Sequence, residues 1–159
     1  MTARTALQEL QQLLQSSLEA TGDGILVVDR DGRIILSNRK FAEMWRVPRE
    51  MVRSKDDIKL REYVMDQLVD PEAYREKIDR LYGEREESTD HVDFKDGRVF
   101  ERYSAPLVIS GQYVGRVWSF RDMTAYREAQ RRLERSEQKY RYLVENAGSI
   151  ILRWDTRVI

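Results

Sequence analysis

The spacing of apolar residues changes from strand to helix and back to strand along this chain. Two short apolar strands, at residues 25–29 and 34–36, are joined by a turn that contains Asp31-Gly32, a dipeptide typical of tight hairpins. From residue 48 to about residue 83 the apolar positions follow helical spacing. Three more strands follow, at residues 90–94, 98–107 and 113–121. This order predicts an α+β domain, in which one five-stranded antiparallel sheet carries helices over one face.

A helix is predicted on each side of this domain. Over residues 5–20, Leu7, Leu10 and Leu14 recur on one face among Gln and Glu, which indicates an amphipathic helix. After residue 124 a heptad seam runs unbroken for three heptads, which favours a parallel coiled-coil dimer. The alternative is a solvated helix folded against its own domain, because Ala and Ser in a seam hold helices together weakly. The seam residues are Tyr126, Ala129, Leu133, Ser136, Tyr140, Leu143 and Ala147.

The composition argues against several classes of function. The 28 basic and 28 acidic side chains give a net charge of zero, so no broad basic surface is available for nucleic acid. The sequence has no Cys, and its carboxylates are scattered, so we expect neither a metal site nor catalytic residues. No apolar stretch approaches the roughly 20 residues of a membrane-spanning helix. We therefore expect a cytoplasmic module without direct membrane contact, although a longer parent protein could be membrane-anchored.

The last residues of the chain repeat part of its first strand. Residues 19–29 and 145–155 match without a gap at five of eleven positions, at an offset of 126 residues. This period is the length of a whole domain rather than of a solenoid repeat. The sequence therefore predicts four segments. They are an N-terminal dimerisation helix (1–21), a central domain (22–123), a coiled-coil linker (124–147) and the first strand of a second, truncated domain of the same kind (148–159).

The order of these elements resembles the PAS sensory fold over residues 20–124. Three local signatures agree with it: the strand opening at residues 24–29, Asn38 at the start of the first internal helix, and the closing Asp122-Met123-Thr124. The last resembles the Asp-Ile-Thr sequence at which PAS domains join their signalling helix. The predicted strand at residues 148–159 resembles the start of a second PAS domain.

This resemblance implies a signalling role rather than an enzymatic one. PAS domains of bacterial multidomain proteins sense a ligand or relay a change in helix packing to an output domain. We expect this chain to form a homodimer through both flanking helices and to act on adjacent PAS and output domains of the same chain. The output would most simply be a histidine kinase, and next a diguanylate cyclase. The alternative is a ligand-free dimerisation or spacer domain.

The late strands hold the best candidate for a ligand pocket. Phe100, Arg102 and Ser104 share one face of their strand, because side chains alternate along it. By resemblance to PAS relatives, the Phe120 position faces an internal pocket, so this face should point inward too. A buried Arg102 is costly unless it is paired. It should pair with an acid of the helical cap or bind a small anionic ligand, unless the facing is reversed. The candidate pocket residues are Phe41, Trp45, Phe100, Arg102, Ser104, Trp118 and Phe120.

No cofactor is expected from this sequence. His91, the only histidine, falls at the start of a strand, whereas haem-binding PAS domains use a histidine on their last internal helix. The Asn-Cys-Arg-Phe segment of photoreactive flavin domains is absent. Non-covalent flavin and an unidentified small ligand stay open as alternatives.

The junction before the last helix is the candidate for signal transmission. Thr124 can cap this helix, and Asp122 adds negative charge near its positive end. In PAS domains this acid also forms a salt bridge that couples the sheet to the helix. Arg98 and Arg121 are the candidate partners here. A simple cap without a switching role is the alternative.

Overall fold

The computed structural model describes residues 2–54 and 56–155, with side chains described up to residue 148. It divides into two compact units, residues 1–123 and 124–159. The first contains the sheet with five helices, and the second contains one long helix. The elements are α1 (Ala3–Glu19), β1 (Gly24–Asp29), β2 (Ile34–Ser37), α2 (Arg39–Met44), α3 (Arg49–Ser54), α4 (Asp57–Asp66), α5 (Pro71–Gly83), β3 (Ser88–Asp93), β4 (Val99–Ile109), β5 (Gln112–Asp122) and α6 (Thr124–Asp155).

The five strands form one antiparallel sheet in the order β2-β1-β5-β4-β3, which confirms the predicted α+β fold. The last strand, β5, lies in the centre between β1 and β4. Its pairing with β1 depends on Gly115, because a Cβ atom there would lie 2.0 Å from the Val28 carbonyl oxygen. The first two strands are thereby joined to the last three.

The hydrophobic core lies between one face of the sheet and helices α2, α4 and α5. Its sheet residues include Val28, Phe100 and Phe120, and its helical residues include Trp45 and Leu60. By contrast, α1 contributes no buried residue. None of the helices in the described residues is long and apolar enough to cross a membrane.

The C-terminal segment differs from the sequence prediction. The repeat predicts a strand from residue 148, but α6 continues as a helix through Asp155. A helix pairs its backbone groups within the segment, whereas a strand needs a neighbouring strand to do so. Residues 156–159, the rest of the predicted strand, lie outside the described residues. The assignment of this segment to a second domain stays a prediction.

Candidate functional site

Asn38 fixes the helix that carries the first predicted pocket residues. Its buried side-chain oxygen Oδ1 accepts hydrogen bonds from the backbone nitrogens of Ile25 (2.8 Å) and Phe41 (3.0 Å). Its Nδ2 donates to the carbonyl oxygens of Leu18 (2.9 Å) and Asp23 (2.9 Å). Asn38 lies at the start of α2, as predicted, and it caps this helix while joining the end of α1 to the start of β1.

Glu19, the last residue of α1, adds a second connection to α2. Its two carboxylate oxygens accept hydrogen bonds from the Arg39 backbone nitrogen at 3.1 and 3.0 Å. A negative charge at this end of α2 also interacts favourably with the helix dipole. The position of α2, and with it Phe41 and Trp45, is therefore tied to the end of α1.

A cavity of about 70 Å³ lies between the sheet and helices α2, α4 and α5. Its wall is mostly apolar and aromatic. Two charged side chains also line it, Asp57 and Arg61, which lie one turn apart on α4. The remaining lining residues are Leu26, Val28, Gly32, Ile34, Phe41, Trp45, Leu60, Val64, Tyr74, Ile78, Tyr82, Trp118 and Phe120.

The cavity brings together only part of the predicted pocket. Phe41, Trp45, Trp118 and Phe120 line it. The other three predicted residues face inward, as the strand alternation indicates, but they do not line the cavity. These are Phe100, Arg102 and Ser104, each at most 2% exposed.

Aromatic rings fill the space where a pocket was predicted. The Trp45 ring centroid lies 5.0 Å from that of Phe94, 5.6 Å from that of Phe100 and 5.2 Å from that of Phe120. Phe94 and Phe100 are themselves 4.4 Å apart. Trp45 thus faces the cavity and also contacts a closed cluster of rings, to which Phe100 belongs.

Arg102 is neutralised by an acid of the sheet rather than of the helical cap. Its Nε and Nη2 donate to Asp90 Oδ1 (2.8 Å) and Oδ2 (2.6 Å), and Asp90 lies opposite Arg102 on β3. The prediction of a partner on the cap is therefore wrong in its location. Because Asp90 supplies the compensating charge, an anionic ligand at Arg102 is not required.

Two tyrosines of the cavity wall, Tyr74 and Tyr82, lie close to arginine side chains. The guanidinium of Arg102 lies 4.7 Å from the Tyr74 ring centroid. Burial raises the pKa of the Tyr74 hydroxyl, although the Arg102 charge acts in the opposite direction. Burial likewise raises the pKa of Tyr82, against the lowering effect of Arg61. Both hydroxyls are therefore held in the neutral form to higher pH than an exposed tyrosine.

A second arginine, Arg116, is also buried, at 0% exposure, and the sequence patterns did not single it out. Its Nε donates to Ser104 Oγ (2.5 Å), and its Nη1 donates to the carbonyl oxygens of Leu81 (2.9 Å) and Glu84 (3.1 Å). Its Nη2 donates to the carbonyl oxygen of Glu86. Arg116 therefore ties the end of α5 and the connection to β3 onto the sheet, and it explains why Ser104 is buried.

The candidate partners of Asp122 bind other residues. Arg98 Nε donates to Asp96 Oδ2 at 2.8 Å, and Arg121 Nε donates to Asp23 Oδ1 at 3.1 Å. The Arg121 ion pair joins the end of β5 to the turn between α1 and β1. The transmission role of Asp122 and Thr124 stays a prediction.

The residues of both predicted dimer seams are exposed within one copy of the chain. On α1 they are Leu7, Leu10 and Leu14, each more than half exposed. The larger seam residues of α6 are also more than half exposed, namely Tyr126, Leu133, Tyr140 and Leu143. Ala129 is exposed as well. The dimer itself stays a prediction.

Among the described residues, no group of three or more His, Cys, Asp or Glu side chains is arranged to hold a metal ion. His91 is exposed on β3, away from the cavity lining.

Comparisons with known proteins agree with this architecture. A family model described as "PAS fold" matches residues 18–131. The sensor region of a sensor histidine kinase superposes with a TM-score of 0.55 at 21% identity, over 67% of this chain and 41% of that one. The PAS domain of BvgS from Bordetella pertussis gives a TM-score of 0.55 at 21% identity, over 82% and 98% of the two chains. An RNA-binding light-oxygen-voltage receptor gives 0.55 at 15% identity, over 81% and 37%. No curated protein matches significantly.

Proposed function

This chain belongs to the PAS fold family, and on that premise we propose that it is a sensory module of a signalling protein. It would dimerise through α1 and α6 and pass a change at its cavity to an output domain. A histidine kinase is the first candidate for this output, and a diguanylate cyclase is the second.

One observation carries this proposal. The helix that presents Phe41 and Trp45 to the cavity is fastened to α1 by Asn38 and Glu19. A ligand that favours one position of these two rings would therefore also favour one position of α1. Such a ligand shifts the module only by its difference in affinity for the two arrangements.

The dimer is supported by the exposed apolar residues of the two flanking helices. Burying one leucine side chain contributes roughly 1.5–3 kcal/mol, so burial of the seam residues would offset part of the cost of association. Light scattering should detect a dimer for the native chain and a monomer for Leu133→Asp. Arg131→Asp is the matched control, because it places the same charge on the helix face opposite the seam. A dimer that persists in Leu133→Asp would show that α6 is not the interface.

A chimera tests the relay. We would fuse α6 in heptad phase to the phosphoacceptor helix of a histidine kinase and measure autophosphorylation. An insertion of seven residues into α6 keeps the phase of the seam and should preserve regulation, whereas an insertion of four shifts it and should abolish regulation. Equal outputs from the two insertions would contradict transmission through α6.

The spacer alternative is favoured by the small size of the cavity. At about 70 Å³ it has roughly half the volume of a cavity that accepts benzene. Ile78→Phe should fill it from α5. In a sensor, this substitution fixes the output of the chimera in one state, whereas in a spacer the output stays that of the native chain. A melting curve of Ile78→Phe checks that the domain remains folded.

A further inference from the structure

The cavity opens beside a glycine where two hydrogen-bond donors converge. Gly32, in the β1–β2 turn, is buried and has a φ of +81°. A Cβ atom there would lie 3.1 Å from Arg61 Nη2 and 3.2 Å from the Tyr82 hydroxyl oxygen. Both groups therefore pack closely against the Gly32 backbone, and the absent side chain lets the two donors approach the same edge of the cavity. A carboxylate suits this edge because arginine and hydroxyl groups both donate to its oxygens.

A single acid faces the same cavity. Asp57 lies one turn before Arg61 on α4, and one of its oxygens accepts a hydrogen bond from the Ile34 backbone nitrogen at 3.3 Å. Opposite charges at this spacing commonly pair on a helix. Among the described residues, however, neither Asp57 nor Arg61 takes part in an ion pair within 4 Å. Both charges remain available to a third group.

The charge around the opening distinguishes the kind of ligand. The groove next to the opening is lined by three acids and two arginines, Asp31, Asp56, Asp57, Arg33 and Arg61. A simple anion would find no excess of positive charge here. A ligand with both charges would place its carboxylate at Arg61 and its ammonium at Asp57.

The interior sets the size of the rest of the ligand. Behind Arg61 the wall is aliphatic and aromatic, including Val28, Leu60 and Val64. By proportion with a cavity of roughly 150 Å³ that holds the six carbons of benzene, a cavity of about 70 Å³ suits about three or four carbon atoms. A branched aliphatic group of this size fits.

We propose that the cavity binds a small apolar α-amino acid, whose carboxylate is held by Arg61 and Tyr82, whose ammonium is held by Asp57, and whose branched side chain fills the interior. The assignment names the ligand class for the cavity of the proposed sensor and rests on that function. Binding is measured on the purified chain alone, so its failure is distinct from a failure of the chimera, which reports the relay.

The experiment compares L-valine with its two halves. 3-Methylbutanoate lacks the ammonium, and isobutylamine lacks the carboxylate. Amide chemical shifts of the full chain are followed by NMR as each compound is titrated to about 10 mM, which covers weak millimolar affinities. Each missing charge-assisted contact should weaken binding about tenfold relative to L-valine.

Two variants assign the contacts. Arg61→Gln should weaken L-valine about tenfold and leave isobutylamine unchanged. Asp57→Asn keeps an oxygen for Ile34, and it should weaken L-valine but leave 3-methylbutanoate unchanged. Arg33→Gln is the matched control, because Arg33 lies in the groove but not in the cavity wall; it should bind as the native chain does.

Several results would overturn the proposal. One is the absence of any shift with L-valine, and another is equal binding of either half-molecule. A third is unchanged L-valine affinity in Arg61→Gln or in Asp57→Asn. The comparison of L-valine with its halves needs no variant, so the proposal stays testable even if a substitution prevents folding.

Discussion

The two ends of the inner face of the sheet are both lined by apolar side chains, yet one is solid and the other is hollow. Over β3 and β4, rings from Trp45, Phe94 and Phe100 pack against one another. Over β1 and β2, aliphatic side chains such as Leu26 and Ile34 leave a cavity. Burial alone therefore does not identify a binding site, because Trp45 and Phe100 are both 0% exposed, yet only Trp45 lines the cavity.

The charged side chains at the two ends also differ in whether they have partners within the fold. In the solid end, Arg102 pairs with Asp90, and Arg116 binds three backbone carbonyls. Among the described residues, Arg102 Nη1 is the one nitrogen of these two guanidinium groups that is buried without a hydrogen-bond partner. At the hollow end, Asp57 and Arg61 line the cavity without pairing with each other. We infer that the solid end mainly stabilises the domain and that the hollow end is the one suited to a ligand.

Truncation of a ring in the solid end should have the largest effect. Phe100→Ala is expected to lower the free energy of unfolding by about 3–5 kcal/mol, because the ring is fully buried and its neighbours cannot close the gap. Phe41→Ala, in the cavity wall, is the matched change, and it should cost less, about 3 kcal/mol, because part of the space around that ring is already empty. Urea denaturation measures both. Equal losses would remove the distinction between the two ends.

Removal of the Asp90 charge, which neutralises Arg102, should cause the second-largest loss of stability. Asp90→Asn leaves a buried guanidinium without its acid, and we expect a loss of about 3 kcal/mol. Asp90→Leu combined with Arg102→Met removes both charges and should recover stability to within about 1 kcal/mol of the native chain. A double variant as unstable as Asp90→Asn would mean that packing, rather than charge, accounts for the loss.

Arg116 tests whether the solid end holds the connection between α5 and β3. Arg116→Met leaves the carbonyl oxygens of Leu81 and Glu84 without their donor, and should cost about 2 kcal/mol. Limited proteolysis should then cut near residue 85 faster than in the native chain. Arg116→Lys, which keeps the charge but loses the planar fork of donors, should fall between the two. Unchanged cleavage in Arg116→Met would contradict the tying role.

The smallest expected effect is a dependence on alkaline pH. Burial raises the pKa of both Tyr74 and Tyr82, whose ordinary value is about 10. Below that pH both are neutral in the folded and unfolded chain. Above it, the unfolded chain loses its protons first, so the free energy of unfolding falls as the pH rises.

Tyr74→Phe should reduce this alkaline slope. Urea unfolding at a series of pH values from about 9 to 11 measures it. Tyr126→Phe is the control, because Tyr126 is exposed on α6. An identical slope in Tyr74→Phe and the native chain would show that the buried hydroxyl does not couple folding to pH.

Local patterns predicted most of the fold. Strand alternation and helical spacing act over a few residues, so the order of the elements and the cap at Asn38 followed from the sequence. The inward facing of Arg102 followed from the same alternation. Applied two residues before Trp118, that alternation would also have found Arg116. Its burial was missed because only Trp118 and Phe120 were considered on the last strand.

Non-local features were out of reach of these patterns. The pairing of Asp90 with Arg102 depends on the register of β3 against β4, which sequence spacing does not fix. The place of the cavity depends on which rings meet, and Trp45 reaches Phe94 across nearly fifty residues of chain. The C-terminal strand was wrongly predicted through Asp155, because similarity between two segments does not supply a strand with a partner.

The side-chain amide of Asn38 connects a long segment, α1, to a short one, the first turn of α2, which carries Phe41. At 1.5 Å per residue, the 17 residues of α1 extend about 25 Å from this joint, whereas Phe41 lies only one helical turn away. A rotation of about 10° about the joint would therefore move the far end of α1 by about 4 Å and Phe41 by about 1 Å. A large movement of the far end of α1 would therefore produce only a small displacement at the cavity. Conversely, a displacement of the Phe41 ring by about the length of a covalent bond would produce a displacement several times larger at the far end of α1.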